Sequence, residues 1–398
     1  MKKDILFIYP SMIIGGSTTA LISLLNSLNS EKYNIDLQLY RNEGPLLDSI
    51  PNFVNILPEV SKYNGRMGRF IKLAIFLLSG NILKAIWKGF TEEKKTLFSR
   101  AALADFQAKF LSKKNKKKYD YAIGFLEGWS DRYLAFCINS CNKYAWLHST
   151  FANITSSPKH ELNWMKKVDK IVFVADSCKM AFIDAMPEMT NKVITVENIT
   201  DSNIIRRRSF MIDNTDEVYN SFIESKKFKI ITVCRITIEV KGLDRIVSCA
   251  KQLKLEGFEF LWYIVGDGDD MEEFLTLIEN ADIKDCVVPI GRRMNPYPFI
   301  AASDILCMPS RYEGKPITVT ESMILGVPPI VTEYLSAYDQ IRNGQSGVVV
   351  GNNDNDIKLA IKECIQNRQS IEHMKAYLKS TEYGNCEYAK EIEKLLLN

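Results

Sequence analysis

The sequence predicts an α/β protein of two successive domains, each a parallel sheet flanked by helices. Three observations carry this. The chain has 398 residues, more than one hydrophobic core ordinarily organises. Short apolar runs alternate with helix-period segments in both halves. Between Thr200 and Lys227 the alternation falters into R-R-R and scattered acidic residues, then resumes with a strand at Phe228, which puts the domain junction there.

The first half opens with an apolar run over 4–9 behind Met-Lys-Lys; it is too short for a signal-peptide core and has no cleavage site, so it reads as a strand. P-S-M-I-I-G-G-S-T-T follows, then a helix over 18–28. Gly15 and Gly16 stand between strand and helix. A glycine pair there makes a tight turn or lets the backbone approach a ligand, and the spacing is not that of G-x-G-x-x-G. Residues 35–40, 121–126, 144–148, 170–175 and 191–197 read as further strands, with a helical region over 66–111.

The second half repeats the scheme. Strands fall at 228–234, 258–265 and 286–290, and helices at 243–253 and 271–280. Residues 303–332 then read S-D-I-L-C-M-P-S-R-Y-E-G-K-P-I-T-V-T-E-S-M-I-L-G-V-P-P-I-V-T. This is a strand over 304–308, a polar turn, Pro316 as first helical residue, a helix over 317–325, Gly326 as its stop and a strand from Pro329, a βαβ unit. Residues 386–397 form an amphipathic helix with Tyr388, Ile392 and Leu396 on one stripe.

Glu313 and Glu321 are eight positions apart, roughly 12 Å along a helix, too far to act on one atom but suited to opposite ends of an extended ligand. Between them the amides of Gly314, Lys315 and Ile317 face the helix entrance, an anion site. The plain alternative is a dipole-favoured Glu followed by a solvated one. Arg235 and Lys241, between a strand and a helix, are either surface cations or partners for a diphosphate. Asp267, Asp269 and Asp270 look like a metal motif, yet their place between strand and helix favours a turn and a helix cap. His148 ends a strand, and Glu127 lies at a strand end.

The run E-G-K-P-I-T-V-T-E resembles the E-x7-E signature of family-four retaining glycosyltransferases (glycosyl transferases group 1), of the bacterial surface-polysaccharide type. Its surroundings, P-S before, G-V-P-P-I-V-T after and G-Q-S-G-V-V-V beyond, fit the same pattern over about 45 residues in one register, with Ser322 where Ala is usual. C-R-I-T-I-E-V-K-G-L-D resembles the family's G-R-x-K-G-x-D segment, with Cys234 in place of Gly and a longer Arg–Lys spacing.

The resemblance implies the GT-B fold, two Rossmann-like domains facing each other across a cleft. These would be 1–199 and 200–379, with a tail over about 380–398 crossing back onto the first. It implies Glu313 near the donor sugar, Glu321 on the ribose hydroxyls, and Arg235 and Lys241 on the diphosphate. Gly266 falls near the nucleotide, and Gly314, Lys315, Pro316 and Ile317 in the donor loop. Gly15 and Gly16 face the donor phosphates, His148 lies beside the reacting sugar, and Glu127 is an acceptor contact. The expected activity is retaining transfer from a nucleotide donor, a UDP-sugar, to a hydroxyl of a saccharide or lipid-linked saccharide in cell-surface polysaccharide assembly. No metal or other cofactor is expected. Transfer to a protein or small molecule, or a silent sugar-nucleotide-binding scaffold, are the alternatives.

Composition narrows the setting. Nine cysteines without a paired framework and three histidines argue for reduced thiols in the cytoplasm and against a structural zinc. Beyond the first strand the longest apolar stretch, 73–83, is interrupted by Ser79, Gly80 and Asn81 and is too short to span a bilayer. Residues 61–118 hold 15 Lys and Arg against three acidic residues, a balance of +12, while the rest of the chain carries 36 basic and 45 acidic residues, a balance of −9. With Phe70, Ile71, Leu77, Leu78, Ile86, Trp87 and Phe90 interspersed, this segment is expected to dock on an anionic membrane surface at the inner face of the cell membrane. Without readout or stacking motifs, nucleic acid ranks last as a partner.

Overall fold

The structure, a computed structural model, describes residues 2–61, 104–154, 158–213 and 215–397. The helix expected over 66–111 and the membrane-docking segment 61–118 therefore lie largely outside the described residues. Two compact units form. One comprises residues 1–198 with 389–398, the other residues 199–388.

The first unit is a seven-stranded parallel sheet. Its strands are β1 (Lys3–Tyr9), β2 (Tyr33–Leu39), β3 (Val54–Ile56), β4 (Lys118–Gly124), β5 (Asn139–Leu147), β6 (Lys170–Phe173) and β7 (Val193–Thr195), in the order β3-β2-β1-β4-β5-β6-β7. Ile5 on β1 is in register with both Ile35 on β2 and Tyr121 on β4. The central strands are buried on both faces, which is why they read as unbroken apolar runs. β3 escapes a sequence reading because three residues are too few to show a period. From Ala389 on, the C-terminal helix Tyr388–Leu397 belongs to this unit, where Glu393 pairs with Lys32 at 3.4 Å. Of the expected stripe Tyr388, Ile392 and Leu396, Ile392 is buried, Tyr388 is half exposed with Ala389 buried beside it, and the Leu396 side chain lies outside the described residues.

The second unit has a six-stranded parallel sheet. Its strands are β8 (Phe228–Val233), β9 (Phe260–Val265), β10 (Val287–Gly291), β11 (Ile305–Met308), β12 (Pro329–Thr332) and β13 (Val348–Val350), in the order β10-β9-β8-β11-β12-β13. The segment 200–227 is more regular than its sequence suggests. It holds the helices Ser202–Ser209 and Glu217–Glu224, capped by the carboxylates of Asp201 and Asp216. The two ends of this unit meet: Thr200 N–H donates to Asn385 Oδ1 at 2.7 Å, and Asn385 N–H to Thr200 O at 3.0 Å.

Strand order reverses between β1 and β4 in the first sheet and between β8 and β11 in the second. Ligands of open α/β sheets bind outside the carboxyl ends of the strands at such switch points. The loops after β8 and β11 carry Arg235, Lys241 and Glu313.

Candidate active site

β8 leads through a turn into the one-turn helix Ile238–Lys241, and the left-handed Gly242 (φ 66°) redirects the chain into the helix Leu243–Leu255. A Cβ on Gly242 would lie 2.2 Å from the Pro309 carbonyl, so only glycine lets this loop meet the one after β11. That contact brings Lys241 Nζ to 2.7 Å from Glu313 Oε1. The same oxygen accepts from Ser310 Oγ at 2.7 Å, and Ser310 is fully buried. Burial disfavours the Lys241 ammonium, but the Glu313 carboxylate outweighs it and raises the pKa overall. Burial pushes the neighbouring Cys234 thiol up to about 12, so it stays protonated.

The loop around Glu313 is clamped from behind. Ser336 Oγ donates to Gly314 O, Thr332 Oγ1 to Ser310 O, and Gln340 Nε2 to Pro316 O at 2.9 Å. These bonds hold the carbonyls of Ser310, Gly314 and Pro316 at the approach to the helix Ile317–Ile324, whose entrance has no side-chain cap; of its first-turn amides, Val319 N–H donates to Pro316 O at 3.2 Å. Arg311 fastens the loop further with a bidentate pair to Asp244 at 2.8 and 2.6 Å. Pro316 is the residue before the helix, with extended backbone (φ −67°, ψ 119°), and not its first residue; the helix begins at Ile317. Gly326 (φ 75°) ends it as expected. Glu321 is not a solvated residue of an outer face: it is 7% exposed, and its Oε1 accepts from Tyr297 O–H at 2.8 Å.

Arg235 is more exposed and pairs with Asp269 at 3.2 Å. Asp267 pairs with Arg292 at 2.9 Å. Asp270 precedes the helix Met271–Asn280 without capping it; its carboxylate instead accepts from Ile238 N–H at 2.8 Å, tying this turn to the Lys241 loop. Among the described residues, no group of three or more His, Cys, Asp or Glu is placed to hold a metal ion. Gly266 (φ 153°) packs so close that a Cβ would lie 1.8 Å from the Cys234 carbonyl.

In the first unit, Glu127 and His148 come together at the ends of β4 and β5. Glu127 Oε2 accepts from His148 N–H at 2.8 Å. The His148 ring stands edge-on to Phe125, centroids 4.9 Å apart, and its Nε2 is buried with no partner among the described residues. Burial lowers its pKa to about 4, against the opposing pull of Glu127, so the imidazole is neutral near pH 7. Gly128 (φ 102°) follows Glu127, held by Asp131 on its N–H and Arg132 on its carbonyl. Gly15 has φ 177°, extended backbone open to any residue, and a Cβ there would meet nothing within 4 Å. The helix starts at Gly16, two residues earlier than its sequence suggests.

Sequence reasoning missed Ser310, Thr332, Ser336, Gln340 and Tyr297. Thr332, Ser336, Gln340 and Tyr297 act through partners more than twenty positions away, and no local motif announces them; Ser310 reaches Glu313 three residues on, a contact that the turn between them sets.

Comparison with known proteins fits this geometry. Residues 213–381 match the model of the family Glycosyl transferases group 1. The capsular polysaccharide biosynthesis glycosyltransferase CapM of Staphylococcus aureus is 27% identical over 191 residues, 46% of this chain and 48% of CapM. The putative colanic acid biosynthesis glycosyltransferase WcaL of Salmonella typhimurium is 30% identical over 136 residues, 32% of this chain and 33% of WcaL. The matches thus span a third to a half of these relatives' lengths. Among solved structures, Anabaena Alr3699/HepE in complex with UDP and glucose superposes with a TM-score of 0.71 at 14% identity, covering 99% of both chains. WaaG, a glycosyltransferase involved in lipopolysaccharide biosynthesis, gives 0.66 at 14% identity, covering 99% of this chain and all of its own. The fold is therefore that of the GT-B glycosyltransferases. The segment 213–381, which carries Glu313, Glu321, Arg235 and Lys241, belongs to the glycosyl transferases group 1 family.

Proposed function

We propose that this protein is a retaining glycosyltransferase that moves a sugar from a UDP-sugar to a hydroxyl of a saccharide or lipid-linked saccharide during surface polysaccharide assembly. The observation that carries this is the Lys241–Glu313–Ser310 assembly at the mouth of the helix Ile317–Ile324. It sets a fixed cation and an amide-lined helix entrance side by side at a switch point, an arrangement suited to a departing diphosphate. The UDP complexes of Alr3699/HepE and the capsular and colanic acid relatives support the choice of donor and pathway.

In this reading Glu313 sits at the donor sugar, Glu321 on the ribose, and Arg235 and Lys241 on the diphosphate, with Gly266, Gly314, Lys315, Pro316 and Ile317 lining the donor. His148 holds a sugar hydroxyl as a neutral imidazole, which offers one donor and one acceptor. Gly15 and Gly16 let the backbone approach the phosphates; nothing in its own unit requires Gly15 to be glycine. Glu127 contacts the acceptor. Charge on the diphosphate is met by Arg235, Lys241 and helix amides, without a metal. The segment 61–118 docks on the anionic inner face of the membrane. Among the described residues no helix is long and apolar enough to cross it.

The test is a screen of nucleotide sugars for slow hydrolysis, with titration calorimetry against UDP. UDP binding with donor turnover and a product of retained anomeric configuration is the expected outcome. UDP binding without turnover of any donor would mark a silent binding subunit instead.

A further inference from the structure

Glu321 is a carboxylate with one oxygen spoken for. Oε1 accepts from Tyr297 O–H at 2.8 Å, while Oε2 takes no hydrogen bond from the described residues. Tyr297 itself is 4% exposed at the start of the helix Tyr297–Ala301, so its hydroxyl is fixed by packing. Over its ring lies the Arg208 guanidinium, 5.0 Å from the centroid. Arg208 is held at both ends: Nη2 donates to Met294 O at 2.7 Å, and its carbonyl accepts from Asn295 Nδ2 at 2.8 Å. Three elements far apart in sequence therefore converge on this carboxylate.

We propose that Tyr297, steadied by Arg208, is a positioning residue that fixes Glu321 so that its open oxygen accepts the ribose hydroxyls of the nucleotide. This rests on the donor-site reading above. An ionised carboxylate is an acceptor only, with about four lone-pair sites. Spending one on a rigid phenol fixes the plane of the group and leaves the others aimed at a diol. The hydroxyl also favours the ionised form of the group. Burial raises the Glu321 pKa, and the Tyr297 hydrogen bond and the Arg208 charge each pull it back in part. Loss of either makes Glu321 take a proton at higher pH, which removes an acceptor from the diol.

The experiment measures binding of UDP, 2′-deoxy-UDP and inorganic pyrophosphate to the wild type, Tyr297→Phe and Arg208→Gln by calorimetry from pH 5.5 to 8. The wild type is expected to prefer UDP to its deoxy analogue. Tyr297→Phe should weaken UDP by about tenfold, the worth of one hydrogen bond to a charged group, and shrink that preference. Pyrophosphate binding should not change, and the acid limb of UDP binding should move to higher pH. Arg208→Gln should shift the acid limb the same way with the hydroxyl still present, and it serves if the Phe variant fails to fold. Preference and acid limb unchanged in the variants would overturn the proposal while leaving the donor-site reading intact. A wild type that ignores UDP would overturn both, and one that binds UDP and 2′-deoxy-UDP alike would remove the ribose role of Glu321.

Discussion

Lys241 and Glu313 sit 72 positions apart, in the segments that follow neighbouring strands, yet share a 2.7 Å charged hydrogen bond that Ser310 completes. Neither residue is needed for the sheet itself. Glu313→Gln and Lys241→Ala are therefore expected to fold and to lose transfer by about 10²–10³, the usual cost of a missing charge-stabilising contact. Steady-state kinetics with the best donor from the screen checks this. Turnover at wild-type rate in both variants would end the assignment.

Transfer should survive a chelator. The cations facing the proposed diphosphate are side chains, and Asp267, Asp269 and Asp270 are engaged with Arg292, Arg235 and the Ile238 amide. Initial rates with and without EDTA, before and after adding manganese or magnesium, decide it. Full inactivation rescued by metal would return those aspartates to consideration as ligands.

Two glycines should behave in opposite ways. Gly266→Ala forces a Cβ to within 1.8 Å of a backbone carbonyl at φ 153°, so it should destabilise the protein by about 3 kcal/mol or more. Gly15→Ala meets no atom within 4 Å and needs no special backbone, so stability should hold within about 0.5 kcal/mol. If the Gly15 backbone approaches the donor phosphates, transfer should nonetheless fall. Thermal melts paired with rates separate the two effects, and a Gly15→Ala enzyme of full activity would remove Gly15 from the site.

His148 predicts a pH signature. Its folded pKa of about 4 lies below the ordinary value of about 6.5, chiefly because the ring is buried. Above pH 6.5 the ring is neutral in both folded and unfolded chains and contributes no pH dependence. Between 6.5 and about 4 the unfolded chain takes a proton that the folded one refuses, so stability falls with falling pH, by up to about 3 kcal/mol. Below about 4 both are protonated and the loss stops. Urea unfolding of wild type and His148→Gln at pH 7.5, 5.5 and 4.5 should show the variant losing less stability on acidification. Parallel losses would place the ring in contact with water.

Much of the second unit was legible in the sequence. The helix Met271–Asn280 falls at its expected bounds, and β11, the helix Ile317–Ile324 and β12 lie within a residue or two of theirs. Proline, glycine and short apolar runs are local signals. Pairings were not legible. That Glu321 turns inward to Tyr297, that Asp270 reaches Ile238 instead of its own helix, and that Ser336 and Gln340 brace the Glu313 loop all depend on tertiary neighbours. The helix Ile238–Lys241 was read as plain turn because four residues carry no period.

The hydrogen bonds that join Thr200 to Asn385 make the second unit an insertion with its doors side by side. The chain leaves the first unit once, completes an entire fold, and returns beside the point where it left. A segment whose ends already meet gives up little entropy if they are ligated, and little structure if it is cut free. Residues 199–388 thus have the layout of a cassette: expression of the segment alone, or of a permutant reopened at a surface turn, is expected to keep the sheet order β10-β9-β8-β11-β12-β13.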